Sequence, residues 1–94
     1  MTFDLQFHPD ALTEWHRLDG SVHAQLKSKL RQRLESPHVS GDRVSGGLNL
    51  YKIKLRTAGY RLVYQVQDQQ LLVLVLAIGK RDRLAAYRAA LGRT

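Results

Sequence analysis

The residues most able to do chemistry lie in the stretch Tyr51-Lys52-Ile53-Lys54-Leu55-Arg56. In an extended strand successive side chains point to opposite faces, so Lys52, Lys54 and Arg56 share one face while Tyr51, Ile53 and Leu55 share the other. The following stretch alternates likewise, with Tyr60, Leu62, Tyr64 and Val66 against Arg61, Val63 and Gln65. A hairpin with Arg56 opposite Arg61, Lys54 opposite Val63 and Lys52 opposite Gln65 gathers Lys52, Lys54, Arg56 and Arg61 on one face, without a carboxylate. Like charges facing one another on a sheet are destabilising. Such a cost with no visible partner points to an absent anion; the alternative is the wet outer face of a sheet that packs its helices elsewhere.

Further basic residues follow in Gly79-Lys80-Arg81-Asp82-Arg83. Helix N-termini favour anions, so cations at a strand-to-helix junction are explained by a ligand phosphate. Asp82 reads as the helix cap, and Arg83 taken alone reads as surface charge. Tyr87 stands three residues after Leu84 and four before Leu91. It is either a core tyrosine or a phenol turned towards the basic face, able to stack a base or bond a ribose. All four histidines (His8, His16, His23 and His38) fall in the first 38 residues. They lack metal-binding spacing and a partner for ordinary ribonuclease acid–base chemistry. An active site in the basic half must then work with lysine, arginine and tyrosine, needing no metal or cofactor. Clustered cations lower the pKa of a neighbouring lysine by repulsion, and arginines hold phosphate charge.

The charge distribution agrees. The net charge is +7; residues 1–42 hold five basic and six acidic side chains, and residues 43–94 hold ten and two. A folded half that basic attracts a polyanion, nucleic acid being the commonest. The absence of Cys excludes a disulfide scaffold and a cysteine nucleophile. The longest apolar run, Leu71 to Ile78, falls far short of the roughly 20 residues of a membrane helix. A soluble, cytoplasmic protein is expected, with residues 1–94 forming one domain.

The elements that must position these residues are legible from periodicity. Thr2 to Phe7 alternates as a strand. Pro9 suits a helix start, with Asp10 and Glu14 complementing the dipole and Leu12, Trp15, Ala11 and Leu18 forming the buried stripe. Asp19-Gly20 breaks that helix, and Ser21 is the expected cap of a second one running to about Glu35. Val22, Leu26, Leu30 and Leu34 make its apolar stripe, leaving Lys27, Lys29, Arg31 and Arg33 on a solvated face. Ser36-Pro37 ends it, and a polar connection runs from His38 to Gly47. Leu48 to Arg56, Tyr60 to Gln67 and Gln70 to Ile78 form an antiparallel meander turning at Thr57-Ala58-Gly59 and Asp68-Gln69. The last strand is apolar on both faces and therefore central. Asp82 to Leu91 closes the chain as a helix. The expected fold is α+β: an N-terminal strand and helical hairpin packed on a mostly antiparallel four-stranded sheet, with a short C-terminal helix.

Tyr51-Lys52-Ile53-Lys54-Leu55-Arg56, Gly59-Tyr60-Arg61-Leu62-Val63-Tyr64-Gln65-Val66 and Gly79-Lys80-Arg81 closely resemble the RelE toxins of bacterial toxin–antitoxin systems, within the RelE/ParE superfamily. The resemblance extends through Ala11-Leu12, Glu14-Trp15, Leu18, Gln25-Leu26-Lys27, Lys29-Leu30 and Leu34-Glu35-Ser36-Pro37. It implies a ribosome-dependent endoribonuclease that cuts mRNA in the A site of the 30S subunit through attack by the RNA's own 2′-hydroxyl. It also implies a RelB-like antitoxin partner through which operator DNA is contacted. By resemblance, Lys52 and Lys54 activate the hydroxyl and hold charge, and Arg61 stabilises the phosphorane. Arg81 serves the leaving 5′-oxygen, and Tyr87 orients the nucleotide. Arg43, Arg56, Lys80 and Arg83 are the candidate RNA contacts. Ser45 departs from the family pattern, where a second basic residue is common. Non-catalytic ParE-like inhibition, or plain nucleic-acid binding as a corepressor, is the alternative.

Overall fold

The computed structural model describes residues 2–80 and 85–94. A strand β1 (Asp4–Phe7) leads into helices α1 (Pro9–His16) and α2 (Gly20–Glu35). A 3-10 turn (Ser40–Asp42) precedes strands β2 (Leu50–Leu55), β3 (Tyr60–Gln67) and β4 (Leu72–Lys80), and helix α3 (Ala85–Gly92) follows. The strands lie in the order β1-β4-β3-β2, with β1 parallel to β4 and the other pairs antiparallel. The doubly apolar β4 is internal, as its pattern requires. Among the described residues no helix is long and apolar enough to cross a membrane.

Local chemistry sets the helix ends. Pro9 opens α1, where the Nδ1 of His8 accepts from the Asp10 amide at 3.1 Å. The cap of α2 is Asp19 rather than Ser21: its Oδ1 accepts from the Val22 amide at 2.9 Å, so Gly20 belongs to the helix instead of ending its predecessor. Leu12 is 40% exposed and leaves the stripe expected for α1. It sits about 100° around the helix from Ala11, whereas Trp15 falls nearly in line with it.

The sheet separates two cores. On the α1–α2 side, Ala11, Trp15, Leu26 and Leu30 pack against Ile53, Leu62, Tyr64 and Val75. On the α3 side the cluster is smaller: Val44, Leu50, Val63, Leu76, Ala77, Ala86 and Ala90. A bulge at Leu76 shifts the β3–β4 register, so that Leu76 and its neighbour Ala77 both join the α3 side.

The β2–β3 register differs from the sequence reading by two residues. Lys54 faces Arg61, Lys52 faces Val63 and Leu50 faces Gln65. The loop holds residues 56–59, closed by a 2.8 Å bond from the Gly59 amide to the Leu55 carbonyl. Gly59 has a φ of 69°, a left-handed conformation that suits glycine at the last loop position. Side chains alternate with period two, so this slip leaves every residue on its expected face. Strand limits also shift. β2 starts at Leu50, with Leu48 exposed and Asn49 at φ 58°. The second turn is a 3-10 turn (Asp68–Gln70) followed by Leu71 at φ 51°, and β4 continues to Lys80 because Tyr60 pairs with it.

Candidate active site

Lys52, Lys54 and Arg61 emerge on the α3 side of the sheet, beside the smaller core. Lys54 lies directly across from Arg61, and Lys52 two pairs further along opposite the buried Val63. Helix α3 packs on β4 and β3 and carries Tyr87 over this row. The Arg61 Cζ stands 5.0 Å from the Tyr87 ring centroid and the Lys52 Nζ 6.0 Å from it. Both are within the range of cation–π attraction. Tyr87 therefore satisfies both sequence readings, packing partly against the small core while presenting its ring to the basic face. Burial pushes its hydroxyl above the usual tyrosine value of 10.0, while Arg61 pulls it back and Asp42 adds to the rise. The phenol consequently remains a neutral donor at physiological pH.

Two openings flank this row. A cavity of about 370 Å³ is lined by Arg43, Val44, Ser45, Lys52, Tyr87, Arg88 and Leu91. A second, of about 300 Å³, lies among Lys54, Leu55, Arg56, Tyr60 and Arg61. Exposed Arg56 thus borders the row from the hairpin loop, and exposed Arg43 borders it from the loop before β2. Lys80 is exposed, but its pairing with Tyr60 turns it to the α1–α2 side of the sheet. Arg81 and Arg83 lie outside the described residues, as does Asp82, the expected helix cap.

Most carboxylates of the described residues are engaged elsewhere. Glu14 grips Arg93 (2.9 and 3.1 Å) while its Oε1 also accepts from the Ile78 amide of β4 at 3.0 Å. It therefore fastens the chain end to α1 and β4 instead of merely complementing a helix dipole. Asp42 pairs with Arg33 at 2.6 Å, and Asp68 with His38 at 2.7 Å. Among the described residues no carboxylate pairs with Lys52, Lys54, Arg56 or Arg61. No group of three His, Cys, Asp or Glu among them could hold a metal ion. The arrangement offers cations and a phenolic donor around an open surface, suited to a phosphate and an adjacent base or ribose.

Two arginines escape the sequence reading. Arg88 lines the larger cavity; its place beside Tyr87, three residues before Leu91, was the available signal. Arg33 was assigned to a solvated face, yet its side chain is only 16% exposed. It stands seven residues after Leu26 and three after Leu30, which is the spacing of the buried stripe.

Residues 5–85 match the family described as the ParE toxin of the type II toxin–antitoxin system parDE. Over 93 residues the sequence is 46% identical to the mRNA interferase toxin RelE of Escherichia coli K12, covering 99% of this chain and 98% of that protein. The chain belongs to the RelE/ParE toxin family. A free double arginine-to-alanine variant of E. coli RelE superposes with a TM-score of 0.92 at 44% identity, covering 99% of this chain and 98% of that one. The toxin in the intact E. coli RelBE toxin–antitoxin complex superposes with a TM-score of 0.83 at 47% identity, covering 86% and 99%. The RelE-like α+β fold expected from the sequence is the fold observed.

Proposed function

We propose that this chain is a ribosome-dependent endoribonuclease toxin that inhibits translation by cutting mRNA in the ribosomal A site. The observation that carries this reading is the direct pairing of Lys54 with Arg61, whose guanidinium lies against the Tyr87 ring, with no carboxylate of the described residues to neutralise them. The strong similarity to mRNA interferases named RelE supports it further. Lys52 and Lys54 take the proton of the 2′-hydroxyl and hold local charge. The 2′-oxygen forms a bond to the adjacent phosphorus while the bond from phosphorus to the 5′-oxygen breaks. Arg61 holds the extra charge of the phosphorane. Arg81 delivers or balances the proton on the departing 5′-oxygen, leaving a 2′,3′-cyclic phosphate and a 5′-hydroxyl. Tyr87 orients the nucleotide, and Arg43, Arg56, Lys80 and Arg83 contact RNA phosphates, Lys80 from the far side of the strand end.

The protein acts in the cytoplasm, where the ribosome is. A RelB-like antitoxin neutralises it by binding, and the pair represses its own operon, contacting operator DNA through the antitoxin. Solved complexes of relatives with RelB antitoxins support that partnership. Primer extension on programmed ribosomes tests the activity: the purified protein is expected to cut A-site mRNA and to leave free RNA largely intact. Lys54→Ala or Arg81→Ala should slow cleavage far more than it weakens ribosome binding. An uncut message under these conditions overturns the reading and favours ParE-like, non-catalytic inhibition.

A further inference from the structure

β2 is an edge strand, so on one side its backbone groups have no neighbouring strand. The connection before it supplies part of what is missing: Arg43 bridges to Tyr51, and the Val44 amide donates to the Leu50 carbonyl at 2.8 Å. Two residues along, the Lys52 carbonyl is met by a side chain instead. Arg33 reaches over from α2, and its Nη1 donates to the Lys52 carbonyl at 3.1 Å and to the Tyr64 hydroxyl at 3.0 Å. Its Nη2 donates to Asp42 Oδ2 at 2.6 Å. The Tyr64 hydroxyl in turn donates to the Pro37 carbonyl at 2.7 Å. One guanidinium thereby ties together the end of α2, the 3-10 turn that precedes Arg43, the core of β3 and the backbone of Lys52.

We propose that Arg33 is a positioning residue for the basic site. It holds the Lys52 backbone on the edge of the sheet and, through Asp42, holds the loop carrying Arg43, which lines the same cavity as Lys52. This rests on the functional reading above and deepens it. The planar fork matters, because it donates from two separated nitrogens, whereas an ammonium would have to meet the same acceptors from a single nitrogen. The charge matters as well. Without Arg33, the Asp42 carboxylate stands unneutralised close enough to influence Tyr87, where it would oppose an incoming phosphate. Arg33 touches no reacting atom in this scheme; it acts through Lys52 and the loop.

Single-turnover cleavage on programmed ribosomes, measured well below the melting temperature, tests this against a purely structural role. Arg33→Met should slow cleavage on the order of tenfold, the scale of losses caused by small misplacements of a reacting group. Ribosome affinity should change much less. Arg33→Lys should recover part of the rate, and adding Asp42→Asn to Arg33→Met should recover some by removing the stray carboxylate. Val22→Ala, a core truncation on the same helix, should lower the melting temperature without slowing cleavage. Amide order parameters at Lys52 and Lys54 should fall in Arg33→Met and not in Val22→Ala. Parental rates in Arg33→Met, or unchanged order parameters, overturn the proposal. If the parental protein itself cuts nothing, the functional reading falls, while the order parameters still decide whether Arg33 holds Lys52.

Discussion

The two faces of this sheet are built from alternate residues of the same strands and are put to opposite uses. Towards α1 and α2 the alternation supplies Ile53, Leu62, Tyr64 and Val75, all four fully or almost fully enclosed, to a broad apolar core. Towards α3 the same strands supply Lys52, Lys54 and Arg61, and only a small cluster of alanine, valine and leucine packs beside them. One face holds the fold together; the other carries a charge arrangement that opposes folding. The lesson is that a strand of period two lets a small domain carry a strained site because the stabilising contacts lie on the far side of the same backbone.

The comparison can be broken most forcefully by removing a cation. Lys54→Ala should lower cleavage roughly a hundred- to ten-thousand-fold, the range for losing a proton-transfer group. Circular dichroism should show the fold intact. Truncation on the other face should do the reverse: Leu62→Ala should destabilise by about 2–5 kcal/mol in urea unfolding, with cleavage preserved at temperatures where the protein stays folded. Comparable rate losses from both variants would erase the division of labour between faces.

Two finer tests sharpen it. Tyr64→Phe leaves Arg33 one acceptor short and takes one of two donors from the Pro37 carbonyl, which keeps the Val39 amide; this should cost about 1–3 kcal/mol. Burial raises the Tyr64 hydroxyl above its ordinary value of 10.0, with the Arg33 hydrogen bond working against the rise. The unfolded chain therefore loses this proton first as pH increases. The stability it contributes is whole below about pH 10 and disappears as pH climbs through the folded value. Unfolding followed from pH 9 to 11 should show that decline, and it should be shallower in Tyr64→Phe. The smallest effect is a gain: Lys54→Gln relieves the repulsion across the Lys54–Arg61 pair and should add about 0.2–1 kcal/mol of stability. A loss instead would mean that an unseen partner neutralises the pair.

Much of this was legible in the sequence, for reasons specific to each element. The alternation of Lys52, Lys54 and Arg56 with Tyr51, Ile53 and Leu55 is a local property of an extended chain, so the faces survived a register that was two residues out. The register itself depends on where Gly59 takes its left-handed turn, which a list of turn residues does not reveal. The cap of α2 was misplaced because Asp19 and Ser21 are both competent caps, and only the path of the chain chooses between them. Arg33 went unread because a charged residue on a buried stripe is easily taken for a solvated one until its acceptors are known. Its acceptors come from three separate segments.

By itself the sequence determined which side chains share a strand face, how strongly charge accumulates after residue 42, and the family to which these residues belong. The first two are consequences of local geometry and of composition, the third of resemblance between sequences, and none needs knowledge of distant contacts. Tertiary structure alone decided that Lys54 meets Arg61, that Tyr87 stands over Arg61 and Lys52, that Arg33 fastens Lys52 and that Arg93 fastens the chain end to Glu14. Each of these joins residues far apart along the chain or depends on one turn's conformation. Their geometry is set by how helices and sheet pack together, because hydrogen bonds and cation–π contacts are sensitive to displacements of an ångström that no spacing rule specifies.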